Sequence, residues 1–253
     1  MTAVEWDAHS YDALEKPQDA WGRAVLDRLD LSGSETVLDA GCGTGAITAL
    51  ILERLPEGRV IGLDSSEAMI EKATEAIGSD PRVELAVGDL LGLDLSEAVD
   101  AIFSSATFHW ILEHDLLFER LFAALRVGGQ LEAQCGGQGN AAEIQRVVES
   151  LAGDERFSAY LRPEQQPWNF ASVGDTELRL QRAGFESVRV WLEPSPVTPR
   201  DPRAFLATVI LPWHFERLPE NLQGPFLDAI LGTIPRPLTV EYVRLNMSAR
   251  RPG

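Results

Sequence analysis

Cysteine, positive charge and long apolar runs are all scarce in this chain. Its two cysteines, Cys42 and Cys135, stand far apart in no metal-ligand spacing, so neither a disulfide framework nor a metal site follows from them. No stretch approaches the roughly 20 consecutive apolar residues that a membrane helix requires. The opening Met1–Lys16 segment is polar and acidic, unlike a secretory signal or an Arg-rich transit peptide. Lys and Arg number 22 against 39 Asp and Glu, a formal charge of −17. Nucleic acids and anionic membrane surfaces both recruit Lys and Arg, so both are disfavoured as partners. The expectation is a cytoplasmic protein, a monomer or homodimer, that handles a small molecule.

The 253 residues, 45% of them hydrophobic, suffice for one large α/β domain, or for a core domain with an inserted cap. Pro17 to Leu29 carries Trp21, Val25 and Leu29 at helical spacing. Thr36 to Ala40 is a short strand-forming run that ends at Gly41-Cys42-Gly43-Thr44-Gly45, and Ala46 to Leu55 resumes helical spacing. Strands follow at 59–63, 82–86, 99–104 and 130–134, with helices at 66–77 and 115–125 between them. Short buried strands alternating with helices predict a doubly wound, Rossmann-like, mainly parallel sheet.

Beyond Cys135 the rhythm loosens. A helix is expected over 141–151, Asp154 to Val173 has no clear period, Asp175 is placed as the cap of a helix ending at Gly184, and 188–192 reads as a strand. Pro194 to Pro237 is proline-punctuated and aromatic, with helices expected at 202–211 and 225–231. A final strand is expected over 240–247. Some forty residues between two strands exceed a plain connection, so 194–237 reads as a helical cap insertion. The expected layout is an N-terminal lid and first helix (1–34), a core (35–193 with 238–253) and the cap.

The turn after the first strand carries the chemistry. Its glycines let a ligand approach the main chain, and the following helix presents free N–H groups. A dinucleotide fingerprint would put its third glycine three residues after the second, where Ala46 stands; the extra glycine falls earlier, at Gly45. Asp64 closes the second strand, where a carboxylate can accept hydrogen bonds from ribose hydroxyls. Gly88-Asp89-Leu90 follows the third strand and can receive an adenine amine on its carboxylate.

Together with Leu125-Arg126-Val127-Gly128-Gly129, these motifs resemble the class I S-adenosylmethionine-dependent methyltransferases over about residues 35–134. Phe108-His109-Trp110, the Gly136-Gly137-Gln138-Gly139-Asn140 loop and Tyr242-Val243-Arg244-Leu245-Asn246 make the layout similar to the trans-aconitate methyltransferase-like members. The resemblance implies a seven-stranded sheet whose last strand is antiparallel. It implies S-adenosylmethionine as cofactor and S-adenosylhomocysteine as product. Asp39, Gly41 and Gly45 would then contact the methionine portion and Asp64 the ribose, with Gly43 also binding the cofactor. Ser65 or Met69 would lie beside the adenosine, Asp89 and Leu90 at the adenine, and Ser104 and Ser105 on the far side.

On the acceptor side, His109 follows strand four, where open α/β sheets place ligands. It either orients a nucleophile or takes its proton, or it is a structural histidine bonded to a carbonyl. Trp110 reads as packing or a cofactor wall. His114, between Glu113 and Asp115, is expected to be exposed. Tyr11 is a candidate lid contact. Trp213 and His214 sit in the cap segment, where either faces the acceptor or packs. Arg244 shares a polar strand face with Tyr242 and Asn246; it either pairs an acceptor carboxylate bidentately or is an edge-facing solvated Arg.

The sulfonium methyl is already activated, so the expected mechanism is direct displacement by proximity, at a carboxylate or hydroxyl oxygen, with nitrogen and carbon as the alternative acceptor atoms. The alternatives are a non-catalytic binder of the same cofactor and a nicotinamide-dependent oxidoreductase. The glycine spacing and the absence of a Tyr-x-x-x-Lys pair stand against the latter.

Overall fold

The computed structural model describes residues 17–161 and 166–253. Strands β1 (Thr36–Ala40), β2 (Arg59–Asp64), β3 (Val83–Val87), β4 (Val99–Ser105), β5 (Leu125–Gly136), β6 (Glu186–Pro194) and β7 (Val243–Arg250) form one seven-stranded sheet in the order β3-β2-β1-β4-β5-β7-β6. The pairings among β1 to β5 are parallel, and β7 runs antiparallel to both β5 and β6. The doubly wound reading with an antiparallel last strand therefore holds. Winding starts at β1, proceeds outward to β3, and resumes on the other side at β4. The reversal leaves a crevice beyond the carboxyl ends of β1 and β4, where ligands of open α/β sheets bind.

Every residue of β1 is buried, as a central strand covered on both faces requires. The two-residue pleat deals successive side chains to two cores. Val37, Ala101 and Phe103 join Val25 and Leu26 of α1 (Pro17–Leu26) and Ile51 and Leu52 of α2 (Ala46–Glu53). Leu38, Ile102 and Leu131 instead meet Leu117, Phe118 and Leu121 of α4 (His114–Ala124) and Leu180 of α6 (Val173–Ala183). Helix α3 (Glu67–Ile77) starts at Ser66, whose hydroxyl accepts from the Met69 N–H at 3.4 Å.

A second core lies beside the sheet. Ile144 and Val147 of α5 (Ala142–Leu151) pack with Phe157, Phe205 of α7 (Pro202–Phe205) and Phe226 and Ile230 of α9 (Glu220–Thr233). Phe157 and Phe226 are fully buried and meet edge to face at 5.4 Å between centroids. Between α7 and α9 come a π-helical turn at Leu206–Ile210 and α8 (Pro212–Phe215). No helix among the described residues is long and apolar enough to cross a membrane.

Several local expectations are corrected. Ser172, not Asp175, caps α6: its hydroxyl accepts from the Asp175 N–H at 3.1 Å and donates to Asp175 Oδ2 at 2.8 Å. Helix α9 begins five residues before Pro225 and carries that proline inside it. The missing N–H is offset by burial of Phe226, Leu227 and Ile230 just beyond. The single helix expected over 202–211 is an α-turn passing into a π-turn. The last strand starts at Val243, and Val240 makes only an isolated bridge to Val197.

Candidate functional site

The chain leaves β1 through a turn shaped by close contacts. The Gly41 and Cys42 N–H groups donate to the Leu63 carbonyl at 2.8 and 3.1 Å, tying the turn to β2. Gly41 has φ 87°, and a Cβ there would lie 2.1 Å from Thr107 Oγ1, so no other residue fits without moving β4's exit. Gly43 N–H donates to Asp64 Oδ2 at 2.9 Å. A Cβ on Gly45 would press on Ile77 and Ala73 of α3 at 3.0 and 3.2 Å. Gly45 thus lets two helices approach, and it is not among the residues that line the cavity.

Beyond the strand ends opens a cavity of about 680 Å³, within the range of small-molecule sites. Asp39, Gly41, Gly43, Asp64, Ser65 and Met69 line one part of it. Asp89, Leu90 and Ser105 extend that wall. Ser104 does not: it is buried, and its hydroxyl donates to the Ala40 carbonyl at 2.6 Å, strapping β4 to β1.

Asp39 is buried, at 1% exposure. Its Oδ2 accepts from Thr48 Oγ1 at 2.7 Å, while Oδ1 has no partner among the described residues. Burial pushes its pKa up to about 7, against the Thr48 hydrogen bond and with help from the Asp64 charge. Burial also raises Asp64, opposed by the N–H groups of Ser66, Gly43 and Ser65. Asp89 Oδ1 accepts from the Leu91 N–H at 2.9 Å, opening the short turn that buries Leu90. A carboxylate that is costly to ionise, with one buried oxygen unpartnered among the described residues beside a cavity, suits a cationic ligand group.

The other half of the cavity is aromatic. His109 sits in a short turn after β4, and its Nδ1 accepts from the Gly136 N–H at 3.3 Å. An N–H pointing at Nδ1 leaves the ring proton on Nε2, so the neutral imidazole is a donor there. Burial holds its pKa well below the usual histidine value, and the charges of Arg244 and His114 add to that. Trp110 lines the cavity too, 5.0 Å from His109 between ring centroids.

Arg244 is not edge-facing. Because β7 is inserted between β5 and β6, the side chain is 2% exposed and forms part of the cavity wall. Its Nε donates to Gln134 Oε1 at 3.0 Å, and its guanidinium lies 4.2 Å over the Trp21 ring. His114 is likewise buried rather than exposed, with Nε2 bonded to the Phe108 carbonyl at 2.9 Å. His214 lines the cavity at 5% exposure, and burial, with Arg217 nearby, pushes its pKa down to about 4. Trp213 does not line it; its ring packs under Arg217 at 3.8 Å and against Trp168. Tyr11 lies outside the described residues.

Three aromatic wall residues were not singled out from sequence as site residues. Trp21, read only as a helical core position, lines the cavity and donates through Nε1 to Ser195 Oγ at 2.8 Å. Trp168 and Phe170 come from the segment without period. Their loop is pinned where the Asn169 N–H donates to the His109 carbonyl at 2.7 Å. The available signal was a cluster of large aromatics, with Pro167, in an irregular stretch that has no helix or strand in which to bury them.

A methyltransferase-domain family model matches residues 37–129. An uncharacterised methyltransferase of Schizosaccharomyces pombe is 30% identical over 188 residues, covering 71% of this chain and 70% of that protein. The chain belongs to the class I S-adenosylmethionine-dependent methyltransferases. Its match to a trans-aconitate 2-methyltransferase of Azoarcus sp. is 38% identical over 129 residues, 51% of this chain and 50% of the relative. The match thus spans about half the length of that curated relative. Among solved structures, a Haemonchus contortus phosphoethanolamine N-methyltransferase 2, in complex with phosphomonomethylethanolamine and S-adenosylhomocysteine, superposes with a TM-score of 0.65 at 19% identity. That likeness covers 97% of this chain and 57% of the other, and it speaks to the fold.

Proposed function

We propose that this methyltransferase transfers a methyl group from S-adenosylmethionine to a carboxylate or hydroxyl oxygen of a small acceptor, by direct displacement. The observation that carries the reading is Asp39, which lines the cavity and whose buried Oδ1 has no partner among the described residues. The amino group of the cofactor's methionine portion would supply the missing cation. Asp64 would take the ribose hydroxyls, Asp89 and Leu90 the adenine, with Ser65 and Met69 beside the adenosine and Ser105 on the far side. When bound, the cofactor supplies a methyl carbon on a positively charged sulfur, which leaves as a neutral thioether.

The chain's own residues then have three tasks. The acids and the glycine turn hold the cofactor in register with the strand ends. The aromatic wall orients the acceptor and excludes water, so that proximity provides the rate. The 194–237 segment, read as a cap, contributes Val209, Ile210, Leu211 and His214 to the same cavity. A carboxylate acceptor attacks as the anion and releases no proton. A hydroxyl acceptor must lose one, and His109, with its proton fixed on Nε2 and its basicity depressed, is poorly placed to accept it.

A polar and aromatic half-cavity beside the cofactor residues favours an enzyme over a bare cofactor binder. The glycine spacing favours a sulfonium nucleoside over a dinucleotide. A cytoplasmic setting and a small-molecule partner belong to the same proposal, supported by the cysteine usage and the acidic charge. The test is transfer of isotope-labelled methyl from S-adenosylmethionine to a panel of carboxylic acids and phenols. Labelled product that disappears with Asp39→Asn supports the reading, and no transfer to any acceptor contradicts it.

A further inference from the structure

We propose that the acceptor is a flat monocarboxylate, an acid with an aromatic or conjugated body, whose carboxylate is held by Arg244 and the Nε2–H of His109. This rests on the methyltransferase reading and narrows its acceptor class.

Both groups are donors with fixed orientation. Gln134 Oε1 and the face of Trp21 set the plane of the Arg244 guanidinium, and the Gly136 N–H sets the tautomer of His109. Gly136, whose N–H bonds the His109 ring, is the register partner of Arg244 across β5 and β7, so the two side chains come from adjacent backbone positions and line one cavity. A guanidinium beside an imidazole N–H is a pair suited to a carboxylate. With Nδ1 of His109 already taken by the Gly136 N–H, neither side chain offers the ligand an acceptor, so a neutral amide or alcohol gains less.

The body of the ligand is read from the rings. Phe170 stacks on His109 at 5.7 Å and on Trp168 at 5.8 Å, each with an interplanar angle of 24°. Three nearly parallel rings in succession offer flat faces, and Trp110 meets Trp168 at 80°. Such walls favour a planar body over a branched, flexible one. Trp168 Nε1 and His214 Nδ1 have no hydrogen-bond partner among the described residues, leaving two polar atoms for a substituent on that body.

Charge sets the number of carboxylates. The described lining holds five acids, Asp19, Asp39, Asp64, Asp89 and Glu113, and Arg244 is the one Lys or Arg. One carboxylate matches that single cation. A tricarboxylate such as trans-aconitate, which the Azoarcus relative is named for, would bring three negative charges to an acidic cavity.

The test is calorimetric titration of the full chain with trans-cinnamate, trans-cinnamamide and trans-aconitate, each with and without saturating S-adenosylhomocysteine. Cinnamate is expected to bind at least about tenfold more tightly than either competitor, the fold-change a charge-assisted contact carries. Arg244→Gln is expected to remove that preference while S-adenosylhomocysteine affinity stays within about twofold, and Arg244→Lys to restore part of it. Amide binding equal to acid, aconitate binding as well as cinnamate, no binding of cinnamate, or an unchanged preference in Arg244→Gln would each overturn the proposal. The acid and amide comparison uses the unaltered chain, so it stands even if a variant fails to fold. Selective cinnamate binding without S-adenosylhomocysteine binding would instead remove the methyltransferase reading and leave the acid anchor.

Discussion

The backbone N–H of Gly136, at the end of β5, donates to Nδ1 of His109, just beyond β4, at 3.3 Å. This one bond joins neighbouring strand ends and decides what His109 can do. With the proton on Nε2 and the ring held neutral, it presents a donor and not a base. Methyl transfer is therefore expected to show no His109 inflection between about pH 6 and 8, around the ordinary histidine pKa. A kcat/KM profile checks this. An inflection in that range, abolished by His109→Gln, would assign it a basic role.

As the proposed partner of the cofactor's amino group, Asp39 is expected to tie cofactor affinity to pH. Its carboxyl has a pKa of about 7 in the free protein, pushed up chiefly by burial. A ligand ammonium would favour the ionised form, so binding below pH 7 must expel a proton. Affinity for S-adenosylhomocysteine is expected to fall as pH drops below 7, by up to about tenfold per pH unit. Titration in buffers of different ionisation enthalpy would register the released proton. Asp39→Asn should weaken binding and flatten this dependence.

His214 contributes stability of the opposite pH sense to Asp39. Its folded pKa, about 4, lies below its ordinary value of 6.5. The unfolded chain therefore binds the proton more readily, and this contribution is full above about pH 6.5 and lost as pH falls toward 4. The loss is of order 3 kcal/mol at most, at about 1.36 kcal/mol for each pH unit between the folded and unfolded values. Urea unfolding at pH 7 and 4.5 is expected to show a smaller acid loss in His214→Phe than in the unaltered chain. Asp39 titrates the other way, stabilising as pH falls from 7, so the variant comparison isolates the histidine.

Two glycines of one turn should fail differently. Gly41→Ala drives a Cβ into Thr107 and is expected to cost at least about 2 kcal/mol of stability. Among the described residues a Cβ on Gly43 would meet nothing within 4 Å beyond its chain neighbours, and Gly43 lines the cavity. Gly43→Ala is expected to cost less stability, about 1 kcal/mol from its backbone conformation, while weakening cofactor binding. Denaturant melts and nucleoside titrations of both variants separate the two effects.

Local signals in the sequence account for the acidic half of the cavity, the half proposed to hold the cofactor. Strand β1, the glycine turn and the acids at the ends of β2 and β3 are read from short patterns, because each residue acts within its own strand-turn unit. Arg244 is different. Whether it faces solvent or the cavity depends on β7 entering between β5 and β6, and pairing order is a long-range property of the chain. His114 follows the same logic: acidic neighbours suggest exposure, yet the first turn of α4 faces the Phe108 carbonyl. Trp21, Trp168 and Phe170 meet only after distant segments fold together. The helical period reads Trp21 as a packing residue, which it is, but what it packs against includes Arg244.

The most direct test of the cofactor assignment is calorimetric titration with S-adenosylmethionine, S-adenosylhomocysteine and NADH in parallel, repeated on Asp64→Ala. Micromolar affinity for the two sulfur nucleosides alone, weakened by about tenfold or more in the variant, is the expected result. Binding of NADH in their place, or of none of the three, would contradict it.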